Sequence, residues 1–541
     1  MQLIGSADSE SKTIDSLGYH SKHTNAKSIS DEVNSAAEKL SKIGYIENQI
    51  LENKKINDSS YVAKLTLGKR IKFIHIYIGR NSVLNDIIAL EKKDTLIVPY
   101  NEVETFLNHS LQKLEQKGFA LARLKLINIY KQDHSLYADL QFDTSQQRKL
   151  NSIVVKFTED GKKKSFPEGH LAQINRKYHT ITFNKNVVRQ IHNDFEKFGF
   201  VNQIKYPEIL FTKDTTKVYV YLEKRKSNTF DGFVGFTNTE NNKLTFNGYL
   251  DLSLENSLLL GEQFSLYWKS DGNKQKTLKA GIDLPYLFKS PIGVKAQIHI
   301  FKQDSIYQNT KTEIDLGYFV DYNTRIYLGY QSTESSDIQN TNNAIISDYK
   351  NNYLTSNLEY SKFDYVNTTF PKKSNLSLTL GIGKRNTNDL IATAGTSGQY
   401  FINLNATHNF YLNKKNCINI KYQNYFLKSK TYIVNELYRF GGANSIRGFT
   451  ENSLQANYMT AVISEYRYII SPDLHLHTIM DYAHYQDDIT NKKGNLLGFG
   501  LGLGVQTNNG LLKLSIANGI SKNEKMKFYN TIVAICYNVK F

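Results

Sequence analysis

An arginine and two carboxylates are the residues of this chain whose types and spacing could build an ionic site. Arg447 lies in a glycine-rich segment, residues 438–449. Glu465 and Asp481 follow in two consecutive alternating runs, each on the polar face opposite its apolar neighbours. A guanidinium can share forked hydrogen bonds between two carboxylates, whereas a lysine cannot reproduce that geometry. The pattern predicts an ionic anchor for a loop and leaves open whether the anchor also switches.

Other candidate chemical sites fail on their context. The alternating glycines of residues 498–504 suggest a dinucleotide loop, but they share one strand parity and no helix follows, so they predict the inward face of a barrel strand, built of small residues. The run His475, His477 and His484 lacks a supporting set of metal ligands. Neither a nucleophile-elbow sequence nor a Walker sequence occurs. The chain is therefore not predicted to be an enzyme, and no metal or cofactor is expected.

The residues from 228 to 541 alternate in runs of about ten, the length that a tilted strand needs to cross a bilayer. Sixteen such runs can be counted, and an even number lets an antiparallel barrel close through hairpins. A soluble sandwich would alternate as well, but the strand length and the 36 tyrosines favour a membrane, where tyrosines form interfacial girdles. The region is predicted to be a 16-stranded transmembrane β-barrel.

The N-terminal part repeats an amphipathic helix followed by two strands, about every 75 to 80 residues. The helix ends in glycine and an aromatic residue each time, at Gly44-Tyr45, Gly118-Phe119 and Gly199-Phe200. Residues 70–148 and 149–227 are predicted to be complete β-α-α-β-β modules. Residues 30–69 are predicted to be a partial module, and residues 1–29 a flexible tail. One large α+β domain is the alternative interpretation.

Composition excludes several classes of protein. The net charge of +16 is spread over both parts without a dense basic patch, so nucleic acid is not an expected partner. The cysteines, Cys417 and Cys536, cannot form a disulfide framework. No apolar run is long enough for a spanning helix. The first residues lack the features of a signal peptide, which we interpret as a trimmed or misplaced start, because a membrane barrel has to be exported.

The glycine-rich segment resembles the signature loop of the BamA/TamA family of outer-membrane assembly factors. Ile446, Arg447, Gly448 and Phe449 match the Val/Ile-Arg-Gly-Phe/Tyr tetrapeptide of that family. The N-terminal repeats resemble its POTRA domains, and residues 230–236 and 284–291 resemble its first barrel strand and an early turn. The resemblance implies that the loop folds back into the lumen and that Arg447 pairs with acidic groups of the wall, for which Glu465 and Asp481 are the candidates.

The family implies a factor that receives unfolded substrates through POTRA domains and inserts or translocates them at the barrel seam. Gly232 and Gly235 in the first strand and Phe541 in the last are the seam candidates, since glycines weaken pairing and a free edge can template an incoming strand. The expected location is the outer membrane of a Gram-negative-type cell, with the POTRA domains in the periplasm. The expected partners are outer-membrane lipids, unfolded outer-membrane or secreted proteins, and accessory periplasmic or inner-membrane proteins.

Two alternative functions remain. The first is a two-partner-secretion transporter, which exports one specific large exoprotein. Such transporters resemble this chain in architecture and carry the same loop motif. Such transporters typically have two POTRA domains behind a plug helix, so the partial third repeat and a tail without such a helix favour assembly. A plain porin is the other alternative, and the repeats and the arginine loop argue against it.

Overall fold

The computed structural model describes residues 1–540 except 58, 80–93, 144–145, 158–165, 239–243, 272–274, 340–345, 365–366, 368, 388–394, 508–509 and 522–530. The chain divides into two compact units. The first comprises Met1–Ser152, Tyr178–Ile191 and Glu208–Val218, and the second comprises Ile153–Lys177, His192–Pro207 and Tyr219–Phe541. Among the described residues, no helix has the length and apolarity needed to cross a membrane.

The first module is complete, contrary to the sequence-based prediction. Its elements are β1 (Gln2–Gly5), α1 (Asp8–Asp15), α2 (Ala26–Lys42), β2 (Gln49–Asn57) and β3 (Ser60–Thr66). Strand β1 pairs in parallel with β3, in a sheet of order β1-β3-β2.

The predicted flexible tail over residues 1–29 and the predicted partial module over residues 30–69 are therefore wrong. Leu3 of β1 and Ile14 of α1 are buried in a core with Val33 and Leu40 of α2. The other side chains of these short elements are mostly polar, so their few buried apolar residues gave too weak a periodicity to detect. Elements of this length depend on tertiary packing for their stability.

The second and third modules fall within residues 70–148 and 149–227. The second contains β4 (Phe73–Tyr77), β5 (Thr95–Pro99), α3 (Val103–Gln116), β6 (Arg123–Gln132) and β7 (Ser135–Asp143), with the sheet order β5-β4-β7-β6. The third contains β8 (Ser152–Phe157), α4 (Glu168–Tyr178), α5 (Lys185–Phe195), β9 (Val201–Gln203), β10 (Glu208–Phe211) and β11 (Thr216–Lys224). Its sheet order is β10-β11-β8, with β9 also pairing with β11. The β-α-α-β-β pattern also predicts a first helix for the second module, near residues 84–90, and these lie outside the described residues.

Two of the three predicted glycines close their helices in the left-handed conformation. Gly44 follows α2 with a φ of 106°, and Gly118 follows α3 with a φ of 96°. The next residue donates its N–H to a carbonyl of the last helical turn in both cases, from Tyr45 to Leu40 and from Phe119 to Leu114, each at 3.0 Å. This is the Schellman arrangement, in which glycine avoids the steric cost of a side chain.

Sixteen antiparallel strands close into a barrel. The first eight are β12 (Thr229–Asn238), β13 (Leu244–Glu255), β14 (Gln263–Asp271), β15 (Gln275–Leu284), β16 (Ile292–Gln303), β17 (Tyr307–Phe319), β18 (Thr324–Asp337) and β19 (Tyr349–Phe363). The next three are β20 (Lys372–Thr387), β21 (Gly395–Tyr411) and β22 (Asn416–Lys428). The last five are β25 (Tyr458–Ser471), β26 (Leu474–Asp487), β27 (Lys492–Thr507), β28 (Gly510–Ser521) and β29 (Ile532–Lys540). The predicted fold class, β-α-α-β-β modules before a 16-stranded antiparallel barrel, is confirmed.

The barrel turns its apolar side chains outward. On β18, Leu328 and Tyr330 are exposed on the outer face. Gln331, Thr333 and Ser335 are buried, and all three lie on the opposite, inward face of the strand. A soluble sandwich would show the reverse pattern, with its polar face toward water. An apolar exterior around a polar interior is the arrangement of a transmembrane barrel.

Residues 429–457 connect β22 to β25 and are called the lumen loop below. They contain a 3-10 helix (Val434–Glu436) and a two-stranded ribbon formed by β23 (Tyr438–Phe440) and β24 (Leu454–Ala456). The chain crosses the barrel eleven times from the start of β12 to the end of β22. Because eleven is odd, the loop begins at the end of the barrel opposite the start of β12. We call the end at which β12 begins the module end.

Candidate functional site

Glycine turns and a small apolar core hold the lumen loop against the barrel wall. Gly441, Gly442 and Gly448 have φ values of 104°, 97° and 85°, which side chains rarely adopt. These turns bury Ile446 and Phe440 in a cluster that includes wall residues of β25, β26 and β27. This packing brings the loop to the wall, where the ionic contacts of Arg447 add to it.

Arg447 contacts both carboxylates that the sequence singled out. Its Nε and Nη2 donate to Oδ2 and Oδ1 of Asp481 at 2.8 and 2.6 Å, and its backbone N–H donates to Oδ2 at 3.0 Å. Its Nη1 donates to Oε1 of Glu465 at 2.5 Å. The Asp481 side chain is 0% exposed, so the guanidinium of Arg447 is the cation that balances its charge, while the Ser464 N–H also donates to Oδ1 at 3.3 Å. We call this group the Arg447 anchor.

A second arginine completes the charge balance around Glu465. Nε of Arg467 donates to Oε2 of Glu465 at 2.8 Å, and Nη1 of Arg467 donates to Asn409 at 3.1 Å. Two guanidinium groups therefore face two carboxylates on the inner wall. Such a balanced cluster is what a poorly hydrated interior requires.

Small residues in the wall let the loop backbone approach. A Cβ on Gly498 of β27 would lie 2.2 Å from the Arg447 carbonyl oxygen. A Cβ on Gly448 would lie 2.3 Å from the backbone of Asn518 on β28. The glycine face of β27 thus has the inward parity inferred from the sequence, and its Gly502 and Gly504 lie against the rings of His477 and His475.

A second anchor escaped the sequence analysis. Glu436 forms an ion pair with Arg385 of β20, with side chains that are 1% and 5% exposed. Nε2 of Gln399 donates to Oε2 of Glu436 at 2.9 Å, and Arg385 also donates to the carbonyl and hydroxyl oxygens of Thr431, at 3.0 and 2.7 Å. We call this group the Glu436 anchor. The strand parity of β20 places Arg385 inward, but no local signal links it to a glutamate 51 residues away.

The neighbouring Asn435 ties the loop to three more strands. Its side chain donates to Ser335 Oγ and to the Ser347 carbonyl, at 2.7 and 2.8 Å. Its carbonyl oxygen accepts from Asn309 Nδ2 and from the Tyr349 hydroxyl, at 2.6 and 3.1 Å. These contacts fix the first part of the loop to the wall formed by β17, β18 and β19.

The lumen loop thus joins widely separated parts of the wall. Glu436 contacts the ninth barrel strand, Arg447 contacts the twelfth and thirteenth, and Glu451 forms an ion pair with Lys269 of the third. A polar cavity of about 670 Å³ remains beside the loop, and the three basic wall residues Lys279, Lys311 and Lys421 help to line it. The loop therefore occupies much of the lumen and can act as a brace across it.

The seam between the first and last strands is short. Among the residues that the structure describes, strand β12 pairs with β13 over ten residues but with β29 only through Thr229↔Lys540 and Phe230↔Val539. Gly232 and Gly235 lie on β12 and pair with β13, beyond the described pairing with β29. A Cβ on Gly232 would lie 2.6 Å from the Tyr249 carbonyl oxygen, so close strand approach also requires this glycine. Phe541 lies outside the described residues.

Helix α4 packs against the module end of the barrel through His170. The buried ring lies 4.7 Å from the ring of Tyr286, in the connection between β15 and β16, and 5.3 Å from that of Phe198. Burial lowers the pKa of His170 to about 3, and the charge of Arg325 adds to this effect. The packed state of α4 therefore contains His170 with a neutral imidazole ring.

We expect acid to loosen this packing of α4. A free histidine has a pKa of about 6.5, so only the undocked helix takes up a proton as the pH falls from about 6.5 toward 3. The docking free energy is complete above this window and decreases by about 2 to 3 kcal/mol at pH 4.5. Hydrogen exchange of α4 amides in lipid nanodiscs measures it, with His170→Phe as the control that stays neutral. An equal pH response of both proteins would contradict the assignment.

The fold and site together define a transmembrane β-barrel that follows α+β modules and carries an arginine-anchored loop in its lumen. This chain belongs to the Omp85 superfamily, since the Omp85 superfamily domain matches residues 256–533. The predicted relationship to BamA/TamA-type proteins is confirmed at this level. Superfamily members are outer-membrane transporters and assembly factors rather than enzymes, and they handle protein substrates.

Solved structures share the fold at low sequence identity. BamA from Haemophilus ducreyi, lacking POTRA domains 1–3, is 17% identical with a TM-score of 0.51, over 87% of this chain and 99% of that chain. CdiB from Acinetobacter baumannii is 14% identical with a TM-score of 0.51, over 99% and 96%. CdiB from Escherichia coli is 12% identical with a TM-score of 0.52, over 96% and 100%. No curated protein sequence matches this chain significantly.

Proposed function

We propose that this protein assembles substrate proteins into the outer membrane, or translocates them, by pairing an unfolded strand with its open barrel seam. The observation that carries the proposal is the two-residue pairing between β12 and β29. Within the described part of the chain, most of β12 therefore has no ladder on the edge toward β29, whereas β13 pairs along its whole other edge.

An open seam is costly in a membrane unless something completes it. Lipid cannot hydrogen-bond to backbone N–H and C=O groups, so an unpaired strand edge at membrane depth is unfavourable. An incoming β-strand satisfies those groups by adding to the edge. The same reaction extends the sheet, which is the step that insertion of a new barrel requires.

The N-terminal modules offer further strand edges, and we assign them as POTRA domains in the periplasm. All nine residues of β2, an edge strand of the first module, are exposed, including Ile50, Leu51 and Ile56. Strand β6 is the corresponding exposed edge of the second module. Exposed apolar side chains beside a free edge suit the capture of unfolded segments.

The anchored lumen loop favours the seam over the lumen as the route. It is held to wall strands by buried ion pairs at Glu436 and Arg447, so passage of a chain through the lumen would have to break both. Strand addition at the seam leaves both anchors intact.

Export of one specific large exoprotein is the second candidate function. It is favoured by the structural match to CdiB, a two-partner-secretion transporter, over nearly the whole chain. The residues before α2 weigh against it, because they form β1 and α1 of a third module, whereas such transporters typically have two.

A cross-link across the seam tests the proposal. Phe230→Cys with Val539→Cys joins paired residues of β12 and β29, in a background with Cys417→Ala and Cys536→Ser. The matched control, Phe230→Cys with Leu252→Cys, joins β12 to β13. We expect oxidation to abolish most assembly activity in the seam variant only, and reduction to restore it. A locked seam variant with full activity would falsify the proposed route.

Depletion of the protein separates the two candidate functions. An assembly factor affects many outer-membrane proteins, so their levels should fall together in the outer-membrane proteome. A dedicated exporter affects one exoprotein in the medium and leaves that proteome intact. The second outcome would replace the first candidate with the second.

A further inference from the structure

Two turns at the module end of the barrel expose large apolar side chains. We call residues 256–262, between β13 and β14, and residues 285–291, between β15 and β16, the rim turns. Leu258, Leu259 and Leu260 are 66%, 44% and 57% exposed in the first, and Phe288 is 98% exposed in the second. One exposed leucine would be ordinary on a protein surface, but four large apolar residues on adjacent hairpin turns form a patch.

The first rim turn is built to present its leucines. The Glu262 carboxylate accepts hydrogen bonds from the N–H groups of Leu258 and Leu260, at 2.6 and 3.2 Å. The Asn256 side chain accepts from the Gly261 N–H at 2.9 Å, and the Asn256 N–H donates to the Glu262 carbonyl at 2.8 Å. The backbone groups are satisfied from within the turn, so the leucine side chains are free to face outward.

The second rim turn holds Phe288 outward at a conformational cost. Tyr286, Phe288 and Lys289 are all left-handed, with φ values of 52°, 53° and 59°. Each such residue costs roughly 1–2 kcal/mol relative to the right-handed conformation. Packing of the Tyr286 ring against His170 and Phe319, at 4.7 and 4.9 Å, offsets part of this cost. Water would add a further penalty for a fully exposed phenylalanine, whereas an apolar medium would remove it.

The rim turns continue the outer apolar face of the barrel. Ile292, which follows the second turn, pairs with Tyr318, and both are exposed on the outer face with Val320. Lys289 lies beside Phe288 and forms an exposed ion pair with Glu168 of α4 at 2.7 Å, and Arg176 is also exposed on α4. Helix α4 contacts the same turn through a hydrogen bond from Gln173 Nε2 to the Lys289 carbonyl at 2.6 Å. Apolar side chains bordered by basic ones match the boundary between acyl chains and headgroup phosphates.

We propose that the rim turns insert into the phospholipid leaflet at the module end of the barrel. Phe288 and the three leucines enter the upper acyl region, and Lys289 lies among the headgroups. Because α4 packs on Tyr286 and Lys289, this insertion also holds α4 at the membrane surface. Another turn of the same rim, residues 412–415 between β21 and β22, contains one exposed leucine, Leu412, beside an asparagine and two lysines, so the rim turns are the more apolar part of this rim.

Depth-dependent quenching of a single tryptophan tests this contact. The chain contains one tryptophan, so Phe288→Trp is made with Trp268→Phe, and Leu258→Trp serves as a second probe in the same background. The matched control is Lys414→Trp in the exposed polar turn. Each folded variant is reconstituted in phosphatidylcholine nanodiscs that contain lipids brominated at defined acyl positions.

We expect bromines close to the headgroup to quench both probes strongly while aqueous acrylamide quenches them weakly. The Lys414→Trp control should show the reverse. Strong acrylamide quenching of both probes without quenching by brominated lipid would overturn the proposal, since the turns would then face water. Protection from both quenchers would overturn it as well, because protein would then cover the turns. Neither result depends on transport activity, so this test is independent of the proposed function.

Discussion

Replacing Arg447 with alanine should release the end of the lumen loop from the wall and open the lumen to ions while the barrel itself stays folded. The substitution leaves the Asp481 carboxylate buried and without its guanidinium partner. Removing one partner of a buried ion pair costs about 3–5 kcal/mol. The packing of Ile446 and Phe440 is too small a cluster to absorb this cost, so the loop should leave the wall.

Ion conductance of the barrel in planar bilayers measures this release. The anchored loop occupies the lumen, so Arg447→Ala should raise the conductance, and heat-modifiable gel mobility should show that the barrel is intact. Arg447→Lys is the matched control, because it keeps the charge but loses the fork to Asp481. We expect an intermediate effect for lysine. Wild-type conductance in Arg447→Ala would show that the ionic contacts are dispensable for holding the loop.

The Arg447 anchor could be predicted because strand periodicity carries the necessary information. Side chains of a strand alternate between its two faces, so Glu465 and Asp481 could be placed inward from their apolar neighbours alone. The same reasoning placed the glycine face of β27 toward the lumen. The family resemblance then predicted that the loop folds back into the lumen, where Arg447 can reach these two carboxylates.

The Glu436 anchor and the first module could not be predicted, for a different reason. The partner of Arg385 lies in a loop, where no periodicity indicates direction, and the pairing depends on how that loop folds across the lumen. Leu3 and Ile14 lie in two short elements that contain few other apolar residues, and their burial depends on helix α2 and strand β3. The number of paired residues at the seam depends on strand geometry around the whole barrel and has no local signal.

The Glu436 anchor should hold the first part of the lumen loop independently of Arg447. Arg385→Ala leaves Glu436 buried without its cation, so we expect residues 429–437 to open more easily by about 3–5 kcal/mol. Arg385→Met combined with Glu436→Gln removes both charges together and should cost less than Arg385→Ala, because no buried charge is left unpaired. Hydrogen exchange of the loop amides measures each opening free energy directly.

The exchange pattern along the loop separates two anchors from one. The anchors contact different strands, β20 for Glu436 and β25 with β26 for Arg447, so Arg385→Ala should deprotect residues 429–437 and leave residues 446–449 protected. Arg447→Ala should give the converse pattern, and the two substitutions together should raise conductance above either alone. Equal deprotection of both segments in Arg385→Ala would mean that the loop opens as one cooperative unit. In that case a substrate strand would need to disturb only one anchor to free the lumen, and the argument for the seam as the sole route would lose its main physical support.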